Sequence, residues 1–167
     1  MMFGLVLSVV LTATNAEIVI EHSAPKTTRF AAQELSTFLS ACLGGTVPVA
    51  EVPTNGKTPI FLGDSAACRE AGIDVAALKR DGFVIDVGER IVIAGKDDAK
   101  VDPMEAILKG GVWSQMYERG TLFGVYEFLE RFAGCRFYFP GELGTITPRH
   151  RTLDVPDGRI SESPAYD

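Results

Sequence analysis

The sequence predicts an α+β domain: a mixed β-sheet with two long helices packed on one face. Three observations carry this. Apolar residues recur at helical spacing in two separate stretches. Short β-rich runs lie between them, and one such run doubles back on itself.

The first helix is expected from about Pro25, a favourable early-helix residue, with Ser23 as a candidate cap. Ala31, Leu35, Phe38, Leu39 and Cys42 form its apolar stripe, and Gly44-Gly45 ends it. Ile18-Val19-Ile20 before it reads as a short strand. Val47 to Val52 and Pro59 to Leu62 after it read as two more. Asp64 is a candidate cap for a weaker helical turn running through Glu70. Gly82 to Gly95 is a hairpin, and Gly88-Glu89 suits a tight mirror-image turn.

The second long helix starts near Arg119. Leu122, Val125, Tyr126, Leu129 and Phe132 fall on one stripe, while Arg119, Glu127, Glu130 and Arg131 lie opposite. Gly134 is a natural stop. Gly120 and Gly124 cost about 0.5–1 kcal/mol each relative to alanine inside a helix, and Phe123 projects to the polar side. Either the glycines admit a neighbouring strand and a loop half covers Phe123, or this face is covered by another domain. Beyond the helix, Cys135-Arg136-Phe137-Tyr138-Phe139 is dense in β-formers, and Pro140-Gly141 turns the chain.

The segment RGTLFGVYEFLERFAGCRFYFPGELGTITP resembles the closing part of the N-terminal domain of family 67 α-glucuronidases, and more closely that domain in a group of secreted bacterial proteins. The shared pattern is an Arg-Gly-Thr helix start, a Tyr-x-Phe-Leu-Glu run, a Gly-x-Arg-aromatic strand and a Pro-Gly turn. Phe137 stands where the related proteins often carry tryptophan. Residues 17 to 167 can be laid on this domain, with 119 to 148 the distinctive part. Chitobiase-type hexosaminidases carry a domain of the same architecture before their barrel. The resemblance therefore implies a hexosaminidase N-terminal domain-like fold. It also implies a non-catalytic accessory domain of an α-glucuronidase-like glycoside hydrolase, whose catalytic acids lie on a following barrel. The tail Ser163-Pro164-Ala165-Tyr166-Asp167 resembles the entry to such a barrel. On this reading the chain is one part of a longer enzyme and its main partner is the C-terminal catalytic barrel of the same polypeptide. The rival reading is a free-standing carbohydrate-binding or scaffold module.

Composition sets further bounds. The 167 residues are enough for one substantial core, and 46% hydrophobic with 23% charged is an ordinary globular balance. The net charge of −6 argues against nucleic acid, whose phosphates require a basic face. Met1 to Ala16 carries an apolar run too short for a membrane span. With small residues at Thr14-Asn15-Ala16 it reads as a signal peptide, which predicts a secreted or periplasmic protein. The absence of Lys or Arg near the start departs from the usual signal-peptide pattern, and the alternative is an added buried strand. The expected division is thus 1–16 signal peptide, 17–155 accessory domain, and 156–167 linker or barrel entry. Cys42, Cys68 and Cys135 cannot all pair within one chain and read as small buried residues, a Cys68 disulfide having no positive support.

Chemistry is scarce. Glycoside hydrolysis needs two carboxyl groups across a scissile bond, and nothing in the spacing of Asp97, Asp98, Glu118 and Glu142 places two across a cleft. His22 and His150 have no ligand pattern beside them, so no metal is expected. No phosphate loop or nucleophile elbow appears, and no cofactor is predicted. The candidate site residues belong to the long connection, Lys96 to Glu118, and the helix it enters. They are Trp113, the only tryptophan, together with Arg119 and Phe123. Trp113 packs the loop on its own domain, meets a neighbouring domain, or stacks on a sugar ring. The expectation carried forward is a cluster of these three residues on one side of the domain.

Overall fold

Strict alternation in the central strands decides the architecture. In the computed structural model, which describes residues 8–111 and 113–165, Phe83, Ile85 and Val87 of one strand and Ile91 and Ile93 of the next point to one face, while Val84, Val92 and Ala94 point to the other. Both faces are apolar, so the sheet is covered on both sides. The elements in chain order are β1 (Ser8–Leu11), β2 (Ala16–Val19), α1 (Lys26–Leu43), β3 (Val49–Ala50), β4 (Thr58–Leu62), α2 (Ala66–Glu70), β5 (Phe83–Val87), β6 (Ile91–Gly95), α3 (Pro103–Lys109), α4 (Gly120–Arg131), β7 (Arg136–Phe137), β8 (Thr145–Ile146), β9 (Leu153–Pro156) and β10 (Gly158–Glu162).

Six strands form the main sheet in the order β10-β5-β6-β4-β2-β3. The β2, β3, β4 and β6 pairings are parallel, while β5 with β6 and β10 with β5 are antiparallel. The two long helices, α1 and α4, pack against each other over one face, as the sequence predicts, and α4 also packs on β5 and β6. The main core holds Leu35, Leu39, Val125, Phe128 and Leu129 against Ile18, Ile60, Ile85 and Ile93. Phe128 is absent from the stripe read off the sequence, yet it is fully buried, and burying a phenylalanine is worth about 1.5–3 kcal/mol. On the opposite face α2 brings Ala67 and Cys68 onto Val84, Val92 and Ala94.

The glycines of α4 have a packing cause. A Cβ at Gly124 would meet Ile93 Cγ2 at 2.7 Å, and one at Gly120 would run into the backbone of Gly82 and Lys96. The helix lies so close to β6 that no side chain fits between them, which is the first of the two readings of these glycines. At the end of α1, Gly44 takes the left-handed conformation (φ 71°) and its N–H donates to Ser40 O.

Several local expectations are corrected. Ser23 does not cap α1: the N-cap is Pro25, with no side-chain bond, because the helix starts too far beyond Ser23. Ser65, not Asp64, caps α2, accepting the N–H of Cys68, and Asp64 instead pairs with Arg69 at 2.7 Å. The hairpin turn is not a mirror-image one. Val87 pairs with Ile91, so three residues bridge the strands, Gly88 N–H donates to Arg90 O, and Gly88 has no positive φ. The strand expected over Val47 to Val52 shrinks to Val49–Ala50, and that over Cys135 to Phe139 to Arg136–Phe137.

Strands near both ends of the described residues join the fold. β1 pairs antiparallel with β9, Val9 opposite Val155 and Leu11 opposite Leu153, and Leu11 is fully buried. Residues 8–11 thus form a strand in this structure, with only Leu11 of the four fully buried. Cleavage after Ala16 would remove this strand and the first residue of β2. At the other end β10 is an edge strand of the main sheet, so the domain extends to Glu162 rather than to 155. Its single apolar residue, Ile160, gives no hydrophobic signal, as suits a strand with one side on solvent.

Candidate functional site

The long connection from β6 to α4 is pinched shut at its base. Gly120 N–H donates to Lys96 O, Asp98 N–H donates to Glu118 O, and Asp97 and Arg119 form an antiparallel bridge. What lies between is a closed excursion rather than a loose loop. Asp102 caps α3 by accepting the N–H groups of Met104 and Glu105, and its carboxylate binds Lys26 at 2.7 Å. That hydrogen bond from Lys26 holds the Asp102 carboxyl below its ordinary range and raises the Lys26 ammonium. Gln115 Nε2 donates to Ala106 O, tying the short 3-10 turn Trp113–Gln115 onto α3.

Trp113 stands 86% exposed at the tip of this excursion, in a shallow groove with Ser114, Met116 and Tyr117. Arg119 is placed differently. Its guanidinium lies 4.7 Å from the Tyr117 ring centre and 5.7 Å from that of Phe123, and it donates to Gln115 O at 3.0 Å. Phe123 is 38% exposed. The structure thus brings Arg119 and Phe123 into contact. Trp113 faces a different groove, and Tyr117, which lines that groove and lies under the Arg119 guanidinium, stands between it and the pair.

Phe123 borders the larger groove, of ≈ 520 Å³, whose floor is aromatic. Tyr126 and Phe137 meet edge to face at 4.8 Å, and Phe38 and Phe137 at 5.0 Å. Tyr126 donates its hydroxyl to Glu34 Oε2 at 2.6 Å. Burial first, and then that bond to a carboxylate, push the Tyr126 phenol well above its usual range, so it stays a neutral donor. Carboxylates form the rim. Arg131 binds both Glu127 and Glu162, and Asp81 Oδ1 accepts the N–H of Arg119. An apolar floor with an acceptor-rich rim can take a hydroxylated ring or the apolar surface of a protein carrying donors at its edge.

Of the four acids read from the sequence, Asp97 is the one the structure redefines. Its carboxylate accepts from Thr28 Oγ1 at 2.6 Å and from Thr121 N–H at 3.0 Å. Desolvation raises its pKa above the ordinary value in spite of those bonds. It is a structural hub, not a solvated loop acid, and spacing alone carries no signal of this. Glu118 pairs with Lys96 at 3.6 Å, and Glu142 sits exposed in a short 3-10 turn. Among the described residues no group of three or more His, Cys, Asp or Glu is placed to hold a metal ion. No helix of the described residues is long and apolar enough to cross a membrane.

A second apolar surface escaped the sequence reading. Tyr138, Phe139, Leu143 and Ile146, around the β7–β8 pair, are all exposed, Leu143 at 95%. The signal was present in the Phe-Tyr-Phe run, but β-propensity does not tell an inward from an outward aromatic.

Comparison with solved structures finds the same fold at low identity. A family GH115 4-O-methyl-α-glucuronidase with specificity for decorated arabinogalactans matches with a TM-score of 0.58 and 20% identity, over 93% of this chain. The GH20 β-N-acetylhexosaminidase of Streptomyces coelicolor A3(2) matches with a TM-score of 0.57 and 16% identity over 95%. A β-hexosaminidase of Streptomyces plicatus follows with 0.55 and 14% over 95%. The chain spans only 18% of the first enzyme and 24% of the other two. No curated protein sequence matches it. The model of the family described as glycosyl hydrolase family 67 N-terminus matches residues 8–101, ahead of the 119–148 segment that carries the sequence resemblance. That match covers more than half of the chain, β1 to β6 included, and the chain accordingly belongs to the glycosyl hydrolase family 67 N-terminus family.

Proposed function

We propose that this chain is a non-catalytic N-terminal accessory domain of an exported, α-glucuronidase-like glycoside hydrolase, and that it supports a C-terminal catalytic barrel of the same polypeptide. Family membership over residues 8–101 is the observation that carries this reading. The outward aromatics support it. Phe123 beside one groove, and Tyr138, Phe139 and Leu143 around the β7–β8 pair, are exposed apolar side chains that a neighbouring domain could cover. Arg119, held over Phe123, adds a charged donor beside that residue.

The test compares the chain alone with the chain joined to whatever coding sequence follows Asp167 in its gene. The chain alone is expected to cleave no aryl glycoside or glucuronoxylan oligomer, and the longer protein to cleave one of them. Turnover by the chain alone, lost on changing Asp98, Glu118 or Glu142, overturns the reading. A stop codon directly after Asp167 supports the free-standing module instead.

One observation favours direct carbohydrate contact as a second reading. Trp113 presents its ring to solvent beside hydroxyl and amide groups, and a ring face can cover the apolar face of a pyranose. It is the only tryptophan, so its fluorescence reports on that position alone. Titration with xylo- and glucurono-oligosaccharides shifts the emission if this reading holds and leaves it unchanged if not.

A further inference from the structure

We infer that Cys42 and Cys135 form a disulfide that ties the end of α1 to the segment following α4. The two Sγ atoms lie 3.6 Å apart, and both side chains are fully buried. A disulfide needs an S–S distance of about 2.05 Å, so the sulfurs must approach by roughly 1.5 Å. Both residues stand on anchored backbone. Cys42 is in the last turn of α1 and its carbonyl accepts the N–H of His150 at 2.7 Å. Cys135 follows the left-handed Gly134, and its N–H donates to Leu129 O at 3.1 Å. The sulfurs are therefore presented to each other by two fixed elements, not by mobile loops.

The third cysteine does not compete. Cys68 lies on the opposite face of the sheet, packed with Val92 and Ala94, and its thiol contacts Ile73 O. Burial pushes its pKa up, which keeps it a thiol. Within the pair, the hydrogen bond between the sulfurs favours one thiolate. It lowers Cys42 and raises Cys135, on which burial acts in the same direction.

The chemistry balances with a disulfide donor, either a small-molecule disulfide or a dithiol–disulfide oxidoreductase. The thiolate of either cysteine, here written for Cys42, attacks one donor sulfur, giving a mixed disulfide and releasing the other donor sulfur as a thiolate. Cys135, losing its proton, then attacks Cys42 Sγ and expels the second donor sulfur. Two protons and two electrons leave the protein, and the donor disulfide ends as two thiols. Since both sulfurs are shielded in the folded domain, the exchange takes place before α1 and α4 close on each other. The bond spans 93 positions of sequence, a long loop whose closure restricts the unfolded chain. This inference does not rest on the accessory-domain reading.

The experiment uses the full chain, denatured under reducing conditions and refolded in a buffer of reduced and oxidised glutathione. Remaining thiols are alkylated in denaturant, and the protein is digested without reductant. The expected product is lighter by two hydrogens, with the Cys42 and Cys135 peptides joined and Cys68 alkylated. Its melting temperature falls by several degrees on adding reductant. Cys68→Ser should keep that reductant-sensitive shift, and Cys42→Ala and Cys135→Ala should each abolish it. Alkylation of Cys42 and Cys135 in the refolded wild-type chain, or a bridge that includes Cys68, overturns the inference. The wild-type peptide map decides the matter even if an alanine variant fails to fold.

Discussion

Asp97 Oδ1 accepts the backbone N–H of Thr121 at 3.0 Å, so an acid 24 positions upstream closes the first turn of α4. Its other oxygen takes the Thr28 hydroxyl from α1. One carboxylate therefore joins the starts of the two long helices to the end of β6, at the base of the excursion that bears Trp113. Changing Asp97 to Ala removes both bonds. The loss is expected to be at least that of an N-cap, about 1–2 kcal/mol, read as a lower urea midpoint. A change within 0.3 kcal/mol would show that water replaces the carboxylate without cost.

The same residue gives a pH dependence of definite sign. Desolvation raises the folded-state pKa of Asp97 above its ordinary value of 3.8. Between those two pKa values the folded state holds more protons, so this contribution to stability is full below the ordinary value and lost as pH rises through the raised one. Asp97→Asn keeps an acceptor and removes the titration. Urea unfolding of wild type and Asp97→Asn across the acidic range should give a difference that changes with pH in that window and is flat above it. A difference constant throughout would put the Asp97 pKa at its unfolded value.

Gly124 and Gly120 should differ from ordinary helix glycines. Alanine in a helix interior normally gains about 1 kcal/mol over glycine. At Gly124 the new methyl meets Ile93 Cγ2 at 2.7 Å, and overpacking of this kind costs about 1–3 kcal/mol. Gly124→Ala is therefore expected to be neutral to destabilising. Gly120→Ala, which meets backbone that cannot move aside, should be worse. A more stable Gly124→Ala protein would mean that α4 rides higher above β6 than described.

Phe123→Ser tests the outer face. The residue is partly exposed, and its contact with the Arg119 guanidinium is worth about 0.5–1 kcal/mol. The chain alone should lose no more than about that amount, whereas Leu129→Ala, in the core, should lose about 2–5 kcal/mol. In a longer protein with a docked catalytic domain, Phe123→Ser should also loosen the docking. Comparable losses for Phe123→Ser and Leu129→Ala in the chain alone would make Phe123 a core residue.

The N-terminus can be decided by mass. Export with cleavage after Ala16 would leave β9 without its partner and vacate the site filled by Leu11, a loss on the scale of Leu→Ala in a core, about 2–5 kcal/mol. If the exported protein keeps residues 8–11, the β1–β9 pairing persists in it and the signal-peptide reading fails. A mature terminus at Glu17, with stability equal to that of the full chain, would mean that β1 contributes nothing.

What could be read from the sequence was what periodicity encodes. The stripes of α1 and α4, the β5–β6 hairpin and the α+β layering follow from apolar spacing, and the glycines of α4 announced a close neighbour. What stayed hidden depends on contacts distant in sequence. β10 offers only Ile160 and is a strand because β5 is there to pair with it. Asp97 looks like half of a solvated acidic pair until Thr28 and Thr121 converge on it. Arg119 and Phe123 stand four residues apart on one side of the helix start, so their contact was legible, but the turning of Trp113 into a different groove was not. Cys42 and Cys135 are each merely buried in the sequence reading, and only the packing of α1 on α4 brings them together.

The pairing of β10 with β5 also has a mechanical meaning. Gly158 to Glu162 are held rung by rung opposite Val87 to Phe83, and the chain leaves the sheet at Ser163. Chain that continues beyond that point starts from a strand end held in place by the sheet. A tug along the strand would load all five rungs at once, in shear, rather than open them one after another. The domain would then act as a bracket that sets the direction of what it carries, where a flexible tether would leave it free to turn.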